Sequence, residues 1–169
     1  LMADKKNLPN PFPGLRPFQS DEEHLFFGRE NQTLELLKLL RNNRFVGVIG
    51  TSGSGKSSLV RCGLLSELYG GSFLEAGTDW EVAVMNPGGG PFNQLSKSLV
   101  DADIYDSEES DIHLKLNATL RRSRLGLVEA IRQATLPEGT NFLLVVDQFE
   151  EIFRYSEAGK EQEEAADDF

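Results

Sequence analysis

Apolar residues recur along the chain with two different periods, and these periods separate predicted strands from predicted helices. Continuous apolar runs are typical of buried parallel strands, and three such runs occur: 44–49, Trp80–Met85 and 141–147. Stretches with an apolar residue every three or four positions are typical of amphipathic helices, and five occur: 29–41, 56–69, 92–100, 112–121 and 125–134. The pattern therefore predicts an α/β fold with parallel strands flanked by helices.

The first nineteen residues differ from the rest because they are rich in proline. Four of the seven prolines lie here, and proline is disfavoured in the interior of helices and central strands. The same segment holds apolar residues that a free linker rarely carries, namely Phe12, Leu15 and Phe18. We therefore predict that residues 1–19 form an extended strap packed on the domain. After it, Ser20 and Glu23 are spaced as a capping box that opens a short helical turn.

Charge is concentrated near the end of the sequence. The chain holds 27 acidic and 17 basic residues, for a net charge of -10, and residues 157–169 contribute six acids against one lysine. Such an acidic chain is a poor general binder of nucleic acid, because phosphate contacts need clustered basic side chains. The one basic cluster, Arg121, Arg122 and Arg124, is more typical of a solvated helix face than of an interaction patch.

Cysteine content and the lengths of the apolar runs indicate the compartment. Cys62 is the only cysteine, so no internal disulfide can form, which is typical of the reducing cytoplasm. No apolar segment approaches the roughly 20 residues that a membrane-spanning helix requires, and a signal-peptide core is missing. The sequence predicts a cytoplasmic protein that does not associate with membranes.

The segment between the first predicted strand and the helix at 56–69 is the most informative part of the chain. Residues 50–57 read Gly-Thr-Ser-Gly-Ser-Gly-Lys-Ser, a complete phosphate-binding loop. Its glycines let successive N–H groups point toward one anion, and the following helix adds the positive end of its dipole. Lys56 is placed to reach the β- and γ-phosphates, and the Ser57 hydroxyl to bind Mg²⁺. The predicted nucleotide-binding residues are Gly50, Ser52, Gly53, Ser54, Gly55, Lys56, Ser57 and Ser58.

The third predicted strand ends in an acid. Residues 141–146 are mostly apolar and Asp147 follows them, which is the form of a Walker B strand. A buried parallel strand delivers this carboxylate to its C-terminal edge, where ligands of open α/β sheets bind. There Asp147 is expected to hold Mg²⁺ together with Ser57, usually through water. A hydrophobic run that ends in aspartate is weak evidence alone, but the phosphate loop about 90 residues upstream strengthens it.

Four segments together give the chain a resemblance to the STAND class of signal-transduction P-loop NTPases, and more closely to its bacterial branch that is often fused to WD40 repeats. They are the phosphate loop and residues 13–18, 26–30 and 146–153. The resemblance implies a three-layer P-loop NTPase fold of the ASCE type, and it implies that Phe27, Gly28 and Arg29 line the adenine side of the nucleotide. The same segment is equally compatible with a helix entry that carries two core phenylalanines.

The resemblance also implies a function and a domain organisation. In this class ADP holds a closed, inactive form, exchange for ATP permits opening and self-association, and slow hydrolysis acts as a timer. The implied ligands are ATP or ADP and Mg²⁺. We therefore expect a strap at 1–19, a partial P-loop NTPase domain at 20–156 and an acidic tail at 157–169. Further strands and the C-terminal sensor or repeat domains of the class are missing, so the fold is expected to be truncated after the Walker B strand.

The residue after the Walker B aspartate departs from many related ATPases, which place a water-activating glutamate there. Here the residue is Gln148, whose neutral amide can orient water but cannot accept its proton. Glu150 and Glu151 are the candidates for that role, with Glu150 slightly favoured. Together with Lys56 they are the predicted catalytic residues.

Two other functions are weighed against the switch. A small-molecule kinase needs an acceptor pocket and a basic lid, for which the arginines of the basic cluster are the only candidates. A nucleotide-binding interaction domain without catalysis is disfavoured because Lys56, Ser57 and Asp147 are all present. A GTPase is less compatible still, since the sequence has no Asn-Lys-x-Asp segment to recognise guanine.

Overall fold

The computed structural model of the protein describes residues 14, 16–70, 79–88, 90–105 and 111–154. The chain divides into two compact units, Leu1–Glu75 and Ala76–Phe169. The predicted strap is described only at residues 14 and 16–19, and the predicted acidic tail lies outside the described residues. The three domain boundaries therefore stay predictions. No helix in the described ranges is both long and apolar enough to cross a membrane.

The first unit is built from helices around the phosphate loop. A 3₁₀ helix, Ser20–Leu25, precedes helix α1, Glu30–Asn42. After the loop, one continuous helical segment at 56–70 contains α2 (Lys56–Ser58), a π-helical stretch (Leu59–Leu64) and α3 (Leu65–Gly70). The helices predicted at 29–41 and 56–69 are thus confirmed, with boundaries shifted by one residue.

The amphipathic faces of these helices meet in the core of the first unit. Helix α1 packs against the π-helical stretch at Thr33, where a Cβ atom added to Gly63 would lie 2.5 Å from Thr33 Oγ1. Glycine at position 63 is therefore what allows the two helices to approach so closely. The apolar side chains buried in this core are Leu36, Leu37, Cys62, Leu64, Leu65 and Leu68.

The 3₁₀ helix begins one residue earlier than predicted. Its N-cap is Gln19, and the Glu22 carboxylate accepts the Gln19 backbone N–H at 2.9 Å. This is the return hydrogen bond of a capping box. The capping box predicted at Ser20 and Glu23 is therefore wrong by one position, because Gln19 already stands at the cap.

The second unit contains a parallel sheet of two strands. Strand β1 (Trp80–Met85) pairs with β2 (Asn141–Val146), in register from Trp80 opposite Asn141 to Met85 opposite Val146. Parallel strands need a long crossover, and here it contains α4 (Pro91–Asp101), α5 (Ile112–Arg122) and α6 (Gly126–Arg132). These strands and helices confirm the sequence prediction for this part of the chain, and with it the α/β class.

One face of the sheet packs on these helices. Ala83 and Leu144 are paired in register and both contact the apolar cluster of the second unit. The cluster is tightly enclosed, since Leu99 is fully buried and only 1% of Leu116 is exposed. Because β1 and β2 are parallel, their carboxyl ends lie at the same edge of the sheet, where Asp147 follows β2.

The prediction of a buried strand at residues 44–49 is wrong, because the structure has this segment outside any strand. Its side chains are also far from buried: Phe45 is 84% exposed and Ile49 is 95% exposed. A strand is held by hydrogen bonds to neighbouring strands, and the described residues provide pairing only between β1 and β2. The structure therefore shows a two-stranded parallel sheet.

Candidate functional site

The phosphate loop curls tightly before its helix begins. Gly53 and Gly55 adopt left-handed backbone conformations, with φ of +75° and +85°, which glycine tolerates without strain. The Ser54 N–H donates to the Thr51 carbonyl at 3.2 Å and closes a turn. The first N–H groups of a helix have no acceptor within the helix, and together with the helix dipole they favour an anion.

Gly50 opens the loop and controls the position of Lys56. A Cβ atom at Gly50 would lie 2.9 Å from Ser54 Oγ and 3.6 Å from Lys56 Cδ, so a larger residue would disturb both side chains. Lys56 Nζ donates to the carbonyl oxygens of Gly50 and Thr51, each at 3.0 Å. The ammonium group is therefore held at the start of the loop by oxygen acceptors.

The segment from Phe27 to Arg29 lies beside the loop. The Arg29 guanidinium donates to the Ser54 carbonyl at 3.4 Å. Gly28 has φ of +82°, and its N–H donates to the Glu30 carboxylate at 2.9 Å, which fixes the turn before α1. This hydrogen bond lowers the pKa of Glu30 because it favours the charged carboxylate. Phe27 is 76% exposed, so it is not a core phenylalanine.

A cleft of about 290 Å³ joins this segment to the phosphate loop. Phe26, Phe27 and Arg29 line it together with the loop residues Gly53, Ser54 and Gly55. The structure thus brings part of each predicted set to one cleft, although the two sets are more than twenty positions apart in the sequence. The predicted residues that do not line this cleft are Gly28, Gly50, Ser52, Lys56 and Ser57.

Three residues that the sequence analysis did not assign to the nucleotide also line this cleft, namely Phe18, Leu25 and Phe26. Ser58, which was predicted at the nucleotide, lines it from the end of α2. The Phe18 N–H donates to Ser58 Oγ at 3.2 Å, and the Arg61 guanidinium donates to Gln19 Oε1 at 3.4 Å. The described part of the strap therefore packs against the helix that follows the loop. The sequence signal for this contact was the motif at 13–18, which ends in Phe18.

An ion pair holds the strap to the 3₁₀ helix. Arg16 Nη1 and Nη2 donate to the two carboxylate oxygens of Glu22, at 2.6 and 2.5 Å. The Arg16 guanidinium, followed by the Gln19 N–H, lowers the pKa of Glu22 from 4.5 to about 2, because both favour the charged carboxylate. The pair therefore contributes its stabilisation fully above pH 4.5 and loses it as the pH falls toward 2.

Asp147 stands at the edge of the sheet in the second unit. Its N–H donates to the Met85 carbonyl at 2.9 Å, which continues the ladder between the strands. One Asp147 carboxylate oxygen accepts the Gln148 N–H at 3.1 Å. Gln148 has φ of +57°, a left-handed conformation that is uncommon outside glycine. The chain therefore turns sharply directly after the predicted metal ligand.

The two glutamates that follow have different surroundings. The Glu151 carboxylate accepts the Gly88 N–H at 2.9 Å and so links the end of β2 to the glycine-rich loop after β1. Glu150 is exposed to solvent. Glu151 is thus engaged in holding two loops together, whereas the Glu150 carboxylate faces water.

The structure places the candidate residues in two sets, one in each unit. The first unit holds the loop residues and the segment from Phe27 to Arg29, and the second unit holds Asp147, Glu150 and Glu151. Within the part of the chain that the structure describes, no three histidine, cysteine or acidic side chains are grouped so that they could hold a metal ion. A Mg²⁺ ion held by one hydroxyl and one carboxylate takes its other ligands from water and phosphate.

The chain also matches a known protein family. A family model described as Novel STAND NTPase 1 matches residues 11–168. Neither the curated proteins nor the solved structures gave a match.

Proposed function

Because the chain belongs to the novel STAND NTPase 1 family, we propose that it binds ATP and ADP with Mg²⁺ as the nucleotide switch of a slow signalling ATPase. The family supports a nucleotide-binding NTPase module. One observation carries the finer proposal, namely the cleft that the phosphate loop shares with Phe27 and Arg29. A cleft with an anion-binding loop and exposed aromatic surface suits a ligand that is charged at one end and planar at the other.

The phosphate loop and Lys56 take the charged end of the nucleotide. Residues 50–58 offer backbone N–H groups, and the Lys56 ammonium offers three donors that now point in part to the carbonyls of Gly50 and Thr51. Phosphate oxygens are stronger acceptors than these neutral carbonyls because they are charged. Lys56 therefore turns from the loop to the β- and γ-phosphates when the nucleotide binds.

Ser57 and Asp147 are the proposed metal ligands. Both offer the hard oxygen donors that Mg²⁺ prefers, and Ser57 directly follows Lys56 while Asp147 directly follows β2. Mg²⁺ would neutralise charge on the phosphate oxygens. Support for this pair comes from the sequence pattern and from the family.

Glu150 is the proposed base for hydrolysis, and Glu151 is proposed to hold the loop after β1 in place. Support for this division is that Glu151 already accepts the Gly88 N–H, whereas Glu150 is exposed. Slow turnover is proposed because the position directly after Asp147 holds Gln148, whose neutral amide cannot accept a proton from water.

Replacing each glutamate should separate these roles. Glu150→Gln should slow ATP hydrolysis about a hundredfold and leave ATP affinity unchanged, because a general base acts in the chemical step. Glu151→Gln keeps an acceptor for the Gly88 N–H and should change the rate by less than about threefold, whereas Glu151→Ala removes the acceptor. Single-turnover release of phosphate measures the hydrolysis rate of the two glutamine variants. Equal losses in the two glutamine variants would contradict the assignment.

Further parts of the proposal extend the nucleotide-binding module that the family supports. By analogy with the STAND class, ADP holds a closed form and ATP permits opening and self-association. β1 and β2 are then two strands of a three-layer P-loop sheet. The single cysteine of the sequence, Cys62, supports a location in the reducing cytoplasm.

The proposal is tested by the thermal unfolding midpoint of the protein with Mg²⁺ and ATP, ADP or GTP. A ligand at a hundredfold excess over its dissociation constant stabilises the folded state by about 2.7 kcal/mol. We expect ATP and ADP to raise the midpoint by several degrees and GTP to leave it unchanged. A rise with GTP alone would overturn the adenine assignment, and no rise with any nucleotide would overturn the proposal.

A further inference from the structure

We propose that Phe18 forms an aromatic wall for the nucleotide base, and that the Ser58 hydroxyl is the positioning residue that holds this wall beside the phosphate loop. Residues 16–19 are then part of the binding site and contribute to the affinity for the base. This inference rests on the proposed function, because it assigns a role within the same cleft. It concerns residues 16–19 and their partners in the first unit, all of which the structure describes.

The backbone around Phe18 is fixed to the helix after the loop. Ser58 is 9% exposed, and its hydroxyl accepts the Phe18 N–H across 40 residues of sequence. Gln19 receives a second contact from the same helix, through Arg61. A hydrogen bond at a nearly buried site is expensive to leave unmade. The position of Phe18 therefore depends on the residue that directly follows the proposed metal ligand Ser57.

The backbone before Phe18 is fixed by an ion pair between Arg16 and Glu22 of the 3₁₀ helix. Both guanidinium nitrogens of the Arg16 fork engage the Glu22 carboxylate, which also accepts the Gln19 N–H. Such a bidentate pair restricts orientation as well as distance. Residues on both sides of Phe18 are thus held by hydrogen bonds, and these bonds restrict where its ring can lie.

The aromatic surface at the cleft has the chemistry that a base requires. The rings of Phe18 and Phe26 meet edge to face, with centroids 5.8 Å apart and an angle of 61° between the planes. Both side chains are partly buried and line the cleft with the exposed ring of Phe27. Aromatic rings bind nucleobases by stacking, and such contacts tolerate different bases because every base has a π-face.

The charge of the cleft excludes other classes of ligand. Among the residues that the structure describes, Arg29 is the only charged one that lines the cleft, and no carboxylate lines it. A cationic ligand would find no partner there, and a purely apolar ligand would leave the donors of the phosphate loop unused. A planar group joined to phosphate satisfies both the rings and the loop. The inferred ligand class is therefore a nucleoside phosphate whose base contacts Phe18.

Two probes separate the base contact from the phosphate contact. MgATP carries both groups, whereas inorganic tripolyphosphate with Mg²⁺ carries only the phosphates. Phe18→Ala should weaken MgATP binding about tenfold, as expected for loss of one stacking contact, and should leave tripolyphosphate binding unchanged. Phe18→Leu keeps apolar bulk without a ring and should weaken MgATP binding nearly as much. Isothermal titration calorimetry measures the affinities of the wild type and both variants for the two probes, and thermal unfolding without ligand shows whether each variant is folded.

Phe45→Ala is the matched control. Phe45 belongs to the same unit and is 84% exposed, and it does not line the cleft. Its replacement should change neither affinity. If Phe18→Ala binds MgATP as the wild type does, or loses tripolyphosphate to the same extent as MgATP, Phe18 does not contact the base. If the wild type binds neither probe, the proposed function fails and not this inference alone.

Ser58→Ala tests the positioning role. Loss of the hydroxyl should weaken MgATP binding by less than Phe18→Ala does, leave tripolyphosphate binding unchanged, and speed hydrogen exchange at the Phe18 amide at least tenfold. A purely structural role in the loop helix would weaken both probes together. Unchanged exchange at the Phe18 amide, or equal loss of both probes, would overturn the assignment of Ser58.

Discussion

Replacing Lys56 with alanine should abolish tight nucleotide binding. Lys56 is the one cation of the phosphate loop, and its ammonium is already held over that loop by the carbonyls of Gly50 and Thr51. Hydrogen bonds to charged groups contribute about 1.5–3 kcal/mol each. Loss of the ammonium should therefore weaken ATP binding by about a hundredfold, so an ATP concentration a hundred times the wild-type dissociation constant should stabilise the variant by only about 0.4 kcal/mol.

Lys38→Ala is the matched control for this experiment. Lys38 is exposed on α1 in the same unit, so its removal changes the net charge equally without touching the loop. It should retain the full rise in midpoint with ATP and ADP. Unchanged ATP binding in Lys56→Ala would mean that the phosphate loop is not the nucleotide site, and an equal loss in Lys38→Ala would attribute the effect to overall charge.

Leu116→Ala should destabilise the second unit by about 2–5 kcal/mol. Leu116 is 1% exposed and belongs to the apolar cluster of the second unit, which also contains Leu99 from α4 and Ala83 from β1. Truncation to alanine removes apolar area from the core and leaves a cavity that the neighbouring helices fill only in part. Trp80, the only tryptophan, opens β1 in this unit, so its fluorescence during urea unfolding reports the loss.

Leu114→Ala provides a control within the same helix. Leu114 lies two positions earlier in α5 and is 68% exposed. The change in helix propensity is the same for both variants, so the difference between them isolates burial. Leu114→Ala should stay within about 0.5 kcal/mol of the wild type. Similar losses in both variants would mean that Leu116 is not in a packed core.

The two places where sequence and structure differ have different physical origins. Residues 44–49 have the apolar pattern of a buried strand, yet Ile49 is almost wholly exposed, and the described residues of the first unit contain no other strand with which this segment could pair. The apolar pattern shows which side chains a segment could bury. Whether the segment forms a strand also depends on a pairing partner that is distant in the sequence. The capping box differed for a local reason, because Gln19 and Ser20 each have a glutamate three positions later in the sequence.

The two glutamates after Asp147 show the same limit at the site. Their sequence positions alone favoured Glu150 only slightly. The hydrogen bond from Gly88 to Glu151 spans 63 residues and distinguishes them. No pattern near Glu151 predicts that contact, because it depends on how the loop after β1 meets the turn after β2 at the shared edge of the sheet.

Local patterns in the sequence predict the helices, the strands β1 and β2 and the phosphate loop, and four motifs together indicate the family. They can do so because helices, strands and glycine turns each impose a fixed spacing on residues a few positions apart. Three contacts could not be predicted in this way: Phe18 at the cleft, the Arg29 guanidinium at the Ser54 carbonyl, and Glu151 at the loop after β1. These contacts join residues 25 to 63 positions apart, and packing of whole elements rather than local pattern sets which of them form.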